Sequence, residues 1–248
     1  MSVRREARAF GGVAEAYDRA RPDYSAATLE WLAERLELGP GRTVVDLAAG
    51  TGKLTVGLVR TRARVVAVEP SAGMIARLRA ALPAVEAIEA TAEAIPLPDA
   101  SADAVTVGQA FHWFANDTAL AEIQRVLKPG GRLALVWNRR DLSDPGQLAL
   151  DRILDRWEGD TPRHRHDAWR EVMASTGRFT PIETAELPHE QRLDAGGLVD
   201  RVLSISFIAV RGDAERAQVA DQVRALAAEL GDPVVLPYVT ELFAYVRH

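Results

Sequence analysis

The stretch VVDLAAGTG at residues 44–52 decides the fold, because it joins a buried strand to the start of a helix. Residues 43–47 are rich in β-branched side chains, which is typical of a short buried strand in a parallel sheet. The small residues that follow lead into a helix predicted over about residues 51–60. Gly50 and Gly52 lack a Cβ atom, so the backbone of this turn can approach a ligand closely and can adopt positive φ. The stretch therefore predicts a ligand-binding loop at the end of a strand.

A second buried strand is predicted over residues 64–68 and is followed by Glu69. Glu69 lies 23 positions after Asp46, close to the spacing at which a nucleotide-binding βαβ unit places a carboxylate against ribose hydroxyls. The loop does not match a dinucleotide-binding fingerprint, because Thr55 stands where that fingerprint has its last glycine or alanine. It does not match a phosphate-binding P-loop either, because Leu54 stands where that motif has serine or threonine. A tight strand-to-helix turn of an ordinary α/β domain remains the alternative at this point.

Composition narrows the class of protein. The chain has 248 residues, of which 48% are hydrophobic and 26% are charged, as expected for a globular protein with a substantial core. A net charge of −5 argues against a general nucleic-acid-binding surface. The absence of cysteine excludes disulfides and thiolate metal sites. No apolar run is long enough to span a membrane, and no signal peptide opens the chain, so we expect a cytoplasmic enzyme without a membrane partner.

Strands and helices alternate over residues 43–137, which predicts an α/β fold with a doubly wound parallel sheet. Further predicted strands bring the sheet to seven; they cover residues 85–90, 103–108, 132–137, 182–193 and 234–246. The strand at 182–193 is long and is predicted to break at Pro188, and the last strand is predicted to be antiparallel. We predict a single domain over residues 1–248. Its parts are N-terminal cap helices at 1–40, a ligand-binding core at 41–137, and helical lid segments that cover the substrate at 138–178 and 194–230.

Five segments, in this order, resemble the motif series of the type 11 family of class I S-adenosylmethionine-dependent methyltransferases; they are residues 44–52, 65–74, 92–97, 103–114 and 127–136. Four further segments resemble more narrowly the branch of trans-aconitate and cantharidin-type small-molecule methyltransferases; they are residues 10–22, 109–114, 137–138 and 236–240. The resemblance implies a Rossmann-like fold, S-adenosyl-L-methionine as cofactor and methyl transfer to a small-molecule acceptor.

The resemblance also implies which residues hold the methionine and ribose parts of the cofactor. Asp46, Gly50 and Gly52 would bracket the methionine part. Ala48 stands where the family has its first glycine, and alanine fits there if its φ is negative. Glu69 would accept hydrogen bonds from both ribose hydroxyls.

For the adenine, the resemblance implies four residues from two connections. Pro70 and Met74 would flank the base. Ala92 and Glu93 would lie along it, one through its backbone and the other through its carboxylate.

At the sulfonium end, the resemblance implies that Gln109 and Ala110 face the sulfur. Tyr17 would cover the cofactor from the N-terminal segment. His112 is the histidine next to this predicted mouth, and it is the candidate catalytic residue. It is either a general base, a group that positions an already ionised acceptor, or a structural residue. We place Trp113 at the wall of the substrate pocket.

Arg163 and Arg165 lie in a charged loop and are candidates to receive an anionic substrate. The neighbouring His164 and His166 lack a carboxylate at ligand spacing, so we predict no metal site. The leading function is O-methylation of a carboxylate or hydroxyl. The alternatives are C- or N-methylation of a small metabolite and a non-catalytic S-adenosylmethionine-binding protein.

Overall fold

The computed structural model describes residues 21–159 and 168–248. In these residues the structure has seven strands, nine α-helices and a short 3-10 helix at Phe111–Trp113. The strands are β1 (Thr43–Leu47), β2 (Arg64–Val68), β3 (Glu86–Ile88), β4 (Ala102–Gly108), β5 (Leu127–Arg140), β6 (Phe179–Leu193) and β7 (Val234–Arg247). The helices are α1 (Ala26–Arg35), α2 (Lys53–Val59), α3 (Ala72–Ala81), α4 (Asp117–Val126), α5 (Pro145–Glu158), α6 (Ala168–Ser175), α7 (Ala195–Leu203), α8 (Ser206–Ala209) and α9 (Asp213–Leu230).

The strands form one seven-stranded sheet in the order β3-β2-β1-β4-β5-β7-β6. Six strands run parallel and one is antiparallel, which confirms the predicted Rossmann-like α/β sheet. Between β1 and β4 the direction of strand succession reverses. In doubly wound sheets the ligand crevice lies at such a point, beyond the carboxyl ends of the strands. The loop after β1 and the connection after β4 are therefore where a cofactor site is expected.

By its internal contacts the described chain divides into two compact units. The core unit comprises residues 24–137, 168–187 and 240–248, and the second unit comprises residues 21–23, 138–159 and 188–239. The single-domain arrangement with substrate-covering segments stays a prediction. The second unit contains most of the residues that we assigned to those segments.

In the core unit, alternate residues of a strand belong to different apolar clusters. In β1, Val45 and Leu47 join one cluster and Val44 joins another. In β5, Leu133 and Leu135 belong to the first cluster, and Ala134 to the second. Successive side chains of a strand point to opposite faces, so a strand that is apolar at every position must be covered on both sides. This explains why the strands predicted at residues 64–68 and 132–137 are nearly continuous apolar runs.

The second unit has an apolar cluster of its own, built mainly from helices. Leu150 and Leu154 of α5 pack with Leu198 of α7 and Val223 of α9. Helical spacing places residues three or four positions apart on one face, as for Leu150 and Leu154. The helices α5, α7 and α9 lie within the segments 138–178 and 194–230, where we predicted helices.

Three details of the fold differ from the sequence prediction. β5 begins at Leu127, five residues before the predicted start, because Leu127 pairs with Ala102 ahead of an irregularity in the ladder. β6 continues through Pro188, where we predicted a break. The helix α8 was not predicted, since four residues are too few to show a helical period. Of the N-terminal cap helices predicted at 1–40, the structure describes α1, and residues 1–20 lie outside the described residues.

Candidate active site

The loop between β1 and α2 is held in a left-handed backbone conformation at three positions. Ala48 has φ of 56°, Gly50 of 60° and Gly52 of 95°. A Cβ atom at Gly52 would lie 3.2 Å from the Leu78 side chain, so both space and φ require glycine there. At Gly50 an added Cβ would meet only Met74 Sδ, at 3.8 Å, so there the backbone conformation is the main requirement. Together these residues form the open turn that the sequence predicts.

Ala48 corrects one expectation. Alanine was expected to fit if its φ were negative, but its φ is 56°. In this region the Cβ atom comes too close to the carbonyl oxygen, at a cost of roughly 1–2 kcal/mol. The loop therefore carries backbone strain at the position where the family has glycine.

We expect Ala48→Gly to raise the free energy of unfolding by about 0.5–1 kcal/mol, because relief of strain exceeds the added entropy of the unfolded chain. Urea unfolding of the two proteins measures the difference. The matched control is Ala49→Gly, since Ala49 is also half-buried but has no positive φ. It should destabilise the protein. Equal effects of the two substitutions would show that Ala48 is not strained.

Glu69 is anchored beside this loop at the end of β2. Its side chain is 5% exposed. One carboxylate oxygen accepts the Gly50 amide at 2.9 Å and the other accepts the Ser71 amide at 2.8 Å. Burial raises the pKa of Glu69 although the hydrogen bonds from Ser71 and Gly50 act to lower it. The carboxylate thus ties the glycine loop to the start of α3 and keeps further lone pairs for other donors.

Asp46 lies beneath the loop and is 1% exposed. Its Oδ2 accepts the Thr55 hydroxyl at 2.6 Å, and its Oδ1 accepts the Thr106 hydroxyl at 3.1 Å. These bonds connect β1 to α2 and to β4. The pKa of Asp46 is raised to about 6 as the net result of opposing effects. Desolvation is the largest effect and raises the pKa, the hydrogen bonds from Thr55 and Thr106 lower it, and the charge of Glu69 raises it. Sequence reasoning missed Thr55 and Thr106 as supporting residues, although both are buried hydroxyls on predicted elements.

The raised pKa of Asp46 predicts how stability varies with pH. Between about pH 4 and 6 the folded state holds a proton on Asp46 that the unfolded state releases, so the free energy of unfolding falls as pH rises. The total loss is on the order of 3 kcal/mol. We expect Asp46→Asn to remove this loss when urea unfolding is measured from pH 4 to 7.

The matched control is Asp103, whose pKa moves in the opposite direction. Desolvation raises the pKa of Asp103, but hydrogen bonds from Lys128, the Thr43 amide and Arg42 outweigh it and lower the pKa. Asp103→Asn should therefore remove a stability contribution that is lost on acidification. A wild-type stability curve that rises from pH 4 to 6 and is unchanged in slope by Asp46→Asn would contradict the assignment.

The connection after β4 contains a second strained residue. Gln109 has φ of 62°, and its amide donates to the Val136 carbonyl at 2.8 Å. Non-glycine residues in this conformation are uncommon and cluster at functional sites. At the preceding Gly108 an added Cβ would lie 2.6 Å from the Tyr24 hydroxyl. Tyr24 therefore covers the end of β4, and the sequence contained no signal for this contact. Ala110, which follows, is half-buried.

The 3-10 helix presents His112 and Trp113, both half-buried, while Phe111 is fully buried in the core. The indole N–H of Trp137 donates to His112 Nδ1 at 3.4 Å. Trp137 is itself 2% exposed and its ring lies 4.5 Å from that of Trp169. The histidine is thus held by a rigid aromatic cluster. The sequence predicted no contact between Trp137 and His112, because the two residues are 25 positions apart in the chain.

The other predicted cofactor residues lie on two connections of the core unit. Met74 is buried on α3 next to Gly50, while Pro70 is exposed. Ala92 is buried, and Glu93 is exposed with its carboxylate accepting from Asn116 Nδ2 at 3.2 Å. The structure thus brings Asp46, Gly50, Glu69 and Met74 together around one loop. Three predicted residues lie outside the described residues: Tyr17, Arg163 and Arg165.

These groups fit the cofactor that the sequence resemblance implies. A buried carboxylate at the end of β2 can accept from ribose hydroxyls, and a glycine turn without Cβ atoms can admit the methionine part. Within residues 21–159 and 168–248, no group of three or more metal-ligating side chains could hold a metal ion. In the same residues no helix is long and apolar enough to cross a membrane.

Comparison with known proteins identifies the family. The model of a methyltransferase domain of type 11 matches residues 45–135. An uncharacterized methyltransferase of Mycobacterium tuberculosis is 40% identical over 236 residues, which cover 93% of this chain and 92% of that protein.

Two solved structures have the same fold. A protein of Anaeromyxobacter dehalogenans, proposed to be a type II methyltransferase, has a TM-score of 0.63 and 30% identity, covering 90% of this chain and 97% of that one. Geranyl diphosphate C-methyltransferase of Streptomyces coelicolor, solved with S-adenosyl-L-homocysteine, has a TM-score of 0.53 and 19% identity, covering 90% and 78%. Its likeness concerns the fold alone. The chain belongs to the class I S-adenosylmethionine-dependent methyltransferases, and S-adenosylmethionine is its cofactor.

Proposed function

We propose that the enzyme methylates a carboxylate oxygen of a small-molecule acceptor, and that His112 positions this carboxylate by donating a hydrogen bond. The observation that supports this role is the bond from the Trp137 indole to His112 Nδ1. The proposal favours carboxylate over hydroxyl, nitrogen or carbon as the acceptor. It agrees with the narrower sequence resemblance to trans-aconitate and cantharidin-type methyltransferases.

The tautomer of His112 follows from the chemistry of its partner. An indole N–H can only donate, so Nδ1 of His112 must be the acceptor. A neutral imidazole has one acceptor nitrogen, and its proton then lies on Nε2. The lone pair that a general base would use is therefore the one that Trp137 engages. We propose that this N–H donates to the acceptor, which is already ionised.

A carboxylate acceptor needs no base. Carboxylic acids have pKa values near 4 and are ionised at neutral pH. A phenol or an alcohol would have to lose a proton during the reaction, and a base of suitable pKa would then be expected beside it. Because Trp137 engages the lone pair of His112, a carboxylate acceptor, which needs no deprotonation, is favoured over a phenol or an alcohol.

The other contribution of the protein is to bind the cofactor and to orient the two reactants. S-adenosylmethionine, when bound, supplies a methyl group on a positively charged sulfur. We propose that Glu69 accepts from its ribose and that Gly50 and Gly52 admit its methionine part. Asp46 would act from beneath, by holding the loop through Thr55. Holding the reactants in line supplies much of the rate enhancement in such a displacement.

We further propose that Gln109 and Ala110 face the sulfur and that Trp113 lines the acceptor pocket. Pro70, Met74, Ala92 and Glu93 stay our candidates for the adenine site. Tyr17, Arg163 and Arg165 stay candidates on the basis of sequence alone. A net charge of −5 supports a small molecule as the partner, because nucleic-acid binding needs a basic surface.

The acceptor class is tested by incubating the enzyme with methyl-labelled S-adenosylmethionine and separate pools of carboxylic acids, phenols, alcohols and amines. We expect label to transfer to the carboxylic acids. Glu69→Ala in the same pools measures the background without efficient cofactor binding. Transfer to amines or to carbon would replace the proposal with N- or C-methylation. Cofactor binding without transfer in any pool would favour a non-catalytic binding protein.

A further inference from the structure

Arg201, on α7 in the second unit, is a buried cation without a counter-ion among residues 21–159 and 168–248. It is 7% exposed. Within the part of the chain that the structure describes, its Nε and Nη1 atoms are buried and have no hydrogen-bond partner. The neighbours of Arg201 on the same helix, Leu198, Val199 and Val202, are buried apolar residues.

Such an arrangement is costly unless a ligand completes it. A guanidinium group remains protonated in proteins and has five N–H donors. Taking a charge out of water without a partner costs far more than burying a neutral polar group. Buried polar groups in folded proteins are nearly always hydrogen-bonded, and an exception requires an explanation. Two nitrogens of Arg201, Nε and Nη1, thus carry buried N–H donors that an anion could accept from.

Other arginines of the same unit show the usual solution. Arg140 donates to Asp151 Oδ1 at 2.6 Å. Arg211 donates to the Phe207 carbonyl at 3.1 Å and to the Trp157 carbonyl at 2.8 Å. Among the described residues of this unit, Arg216 also has a buried Nε without a partner, whereas Arg201 lacks partners at both Nε and Nη1.

Further unsatisfied polar atoms occur in the same unit. Trp157 Nε1, His189 Nε2 and Gln147 Oε1 are buried and lack hydrogen-bond partners among the described residues. Such atoms need partners that the described residues do not supply.

We propose that Arg201 binds a carboxylate of a small-molecule ligand of this enzyme. The planar guanidinium fork matches a carboxylate in two parallel hydrogen bonds. The choice of carboxylate rests on the proposed function, in which the acceptor is a carboxylic acid. Arg201 was not among the arginines that the sequence singled out for an anionic substrate.

The test observes Arg201 directly. In ¹⁵N-labelled full-length enzyme, the Nε–Hε resonance of Arg201 is assigned by its loss in Arg201→Met. Titration with benzoate should shift this resonance, whereas the uncharged analogue benzamide should not. In Arg201→Met the affinity for benzoate should fall by about tenfold or more, as for loss of a charged hydrogen bond. A resonance that benzoate leaves unmoved, or that responds to inorganic phosphate but not benzoate, would overturn the proposal.

Thermal unfolding separates binding from a structural role. Arg201→Met removes an unpaired buried charge, so the melting temperature of the ligand-free enzyme should stay the same or rise. The matched control is Arg211→Met, which should lower it because two carbonyl contacts are lost. A comparable fall in Arg201→Met would show that the protein itself satisfies Arg201.

The two proposals can fail independently. Neither measurement on Arg201 requires turnover. If label transfers to amines while benzoate shifts the Arg201 resonance, the proposed function fails and the carboxylate site stands. If the product is a methyl ester while the resonance does not move, the proposed function stands and the carboxylate site fails.

Discussion

Glu69→Ala is expected to weaken S-adenosylmethionine binding by about 1.5–3 kcal/mol, or roughly 10- to 150-fold in Kd. The wild-type carboxylate is buried and already oriented by the Gly50 and Ser71 amides, so it can accept from ribose hydroxyls without reorganising. The substitution removes that acceptor and also leaves both amides without their partner. Isothermal titration calorimetry with S-adenosylmethionine and S-adenosylhomocysteine measures the change.

Glu69→Gln tests the geometry of the same site. Both observed partners of Glu69 are N–H donors. The amide nitrogen of glutamine cannot accept from either, so this near-isosteric change should also weaken binding. Glu86→Ala is the matched control, because Glu86 is an exposed carboxylate in an ion pair with Arg64. Wild-type affinity in Glu69→Ala, or binding of NAD in place of the sulfur ligands, would refute this assignment of the site.

The second large effect is expected at His112. If His112 donates to an ionised acceptor, His112→Ala should act mainly through KM and lower kcat/KM by about 10- to 150-fold, as for a hydrogen bond to a charged group. His112→Gln should recover much of the loss, because its side-chain amide can also donate. Steady-state kinetics with an identified acceptor measures both variants.

A general base would behave differently. Its loss should lower kcat by about 10²–10⁴-fold with little change in cofactor affinity, and glutamine would not restore activity. Trp137→Phe provides a further control, because it removes the indole N–H that engages Nδ1 while keeping an aromatic ring against Trp169. It should lower kcat/KM less than His112→Ala does. Full activity in His112→Ala would remove this residue from the mechanism.

The central strands β1, β2 and β4 could be predicted from the sequence because they are buried almost throughout. β1 and β2 are at the predicted residues, since short β-branched runs between turn residues have few other solutions. The glycine loop was also predictable, because Gly50 and Gly52 lie at a strand-to-helix junction. The division into two compact units was not predicted. It depends on tertiary contacts that local periodicity does not encode.

The details that carry the chemistry were harder to predict. The positive φ of Ala48 and Gln109 reflects how neighbouring elements constrain the turns, against the preference of either side chain. The bond between His112 and Trp137 joins residues 25 positions apart. An amphipathic pattern around Arg201 indicates a helix but cannot show that the guanidinium is buried without a partner.

The chemical linkage of the transferred methyl group tests the central claim most directly. The enzyme is incubated with methyl-labelled S-adenosylmethionine and the carboxylic acid that accepts label, and the isolated product is then treated with alkali. We predict a methyl ester, which releases its label as volatile methanol. Label that remains on a non-volatile product after alkali would show an ether, amine or carbon linkage, and would contradict carboxylate methylation.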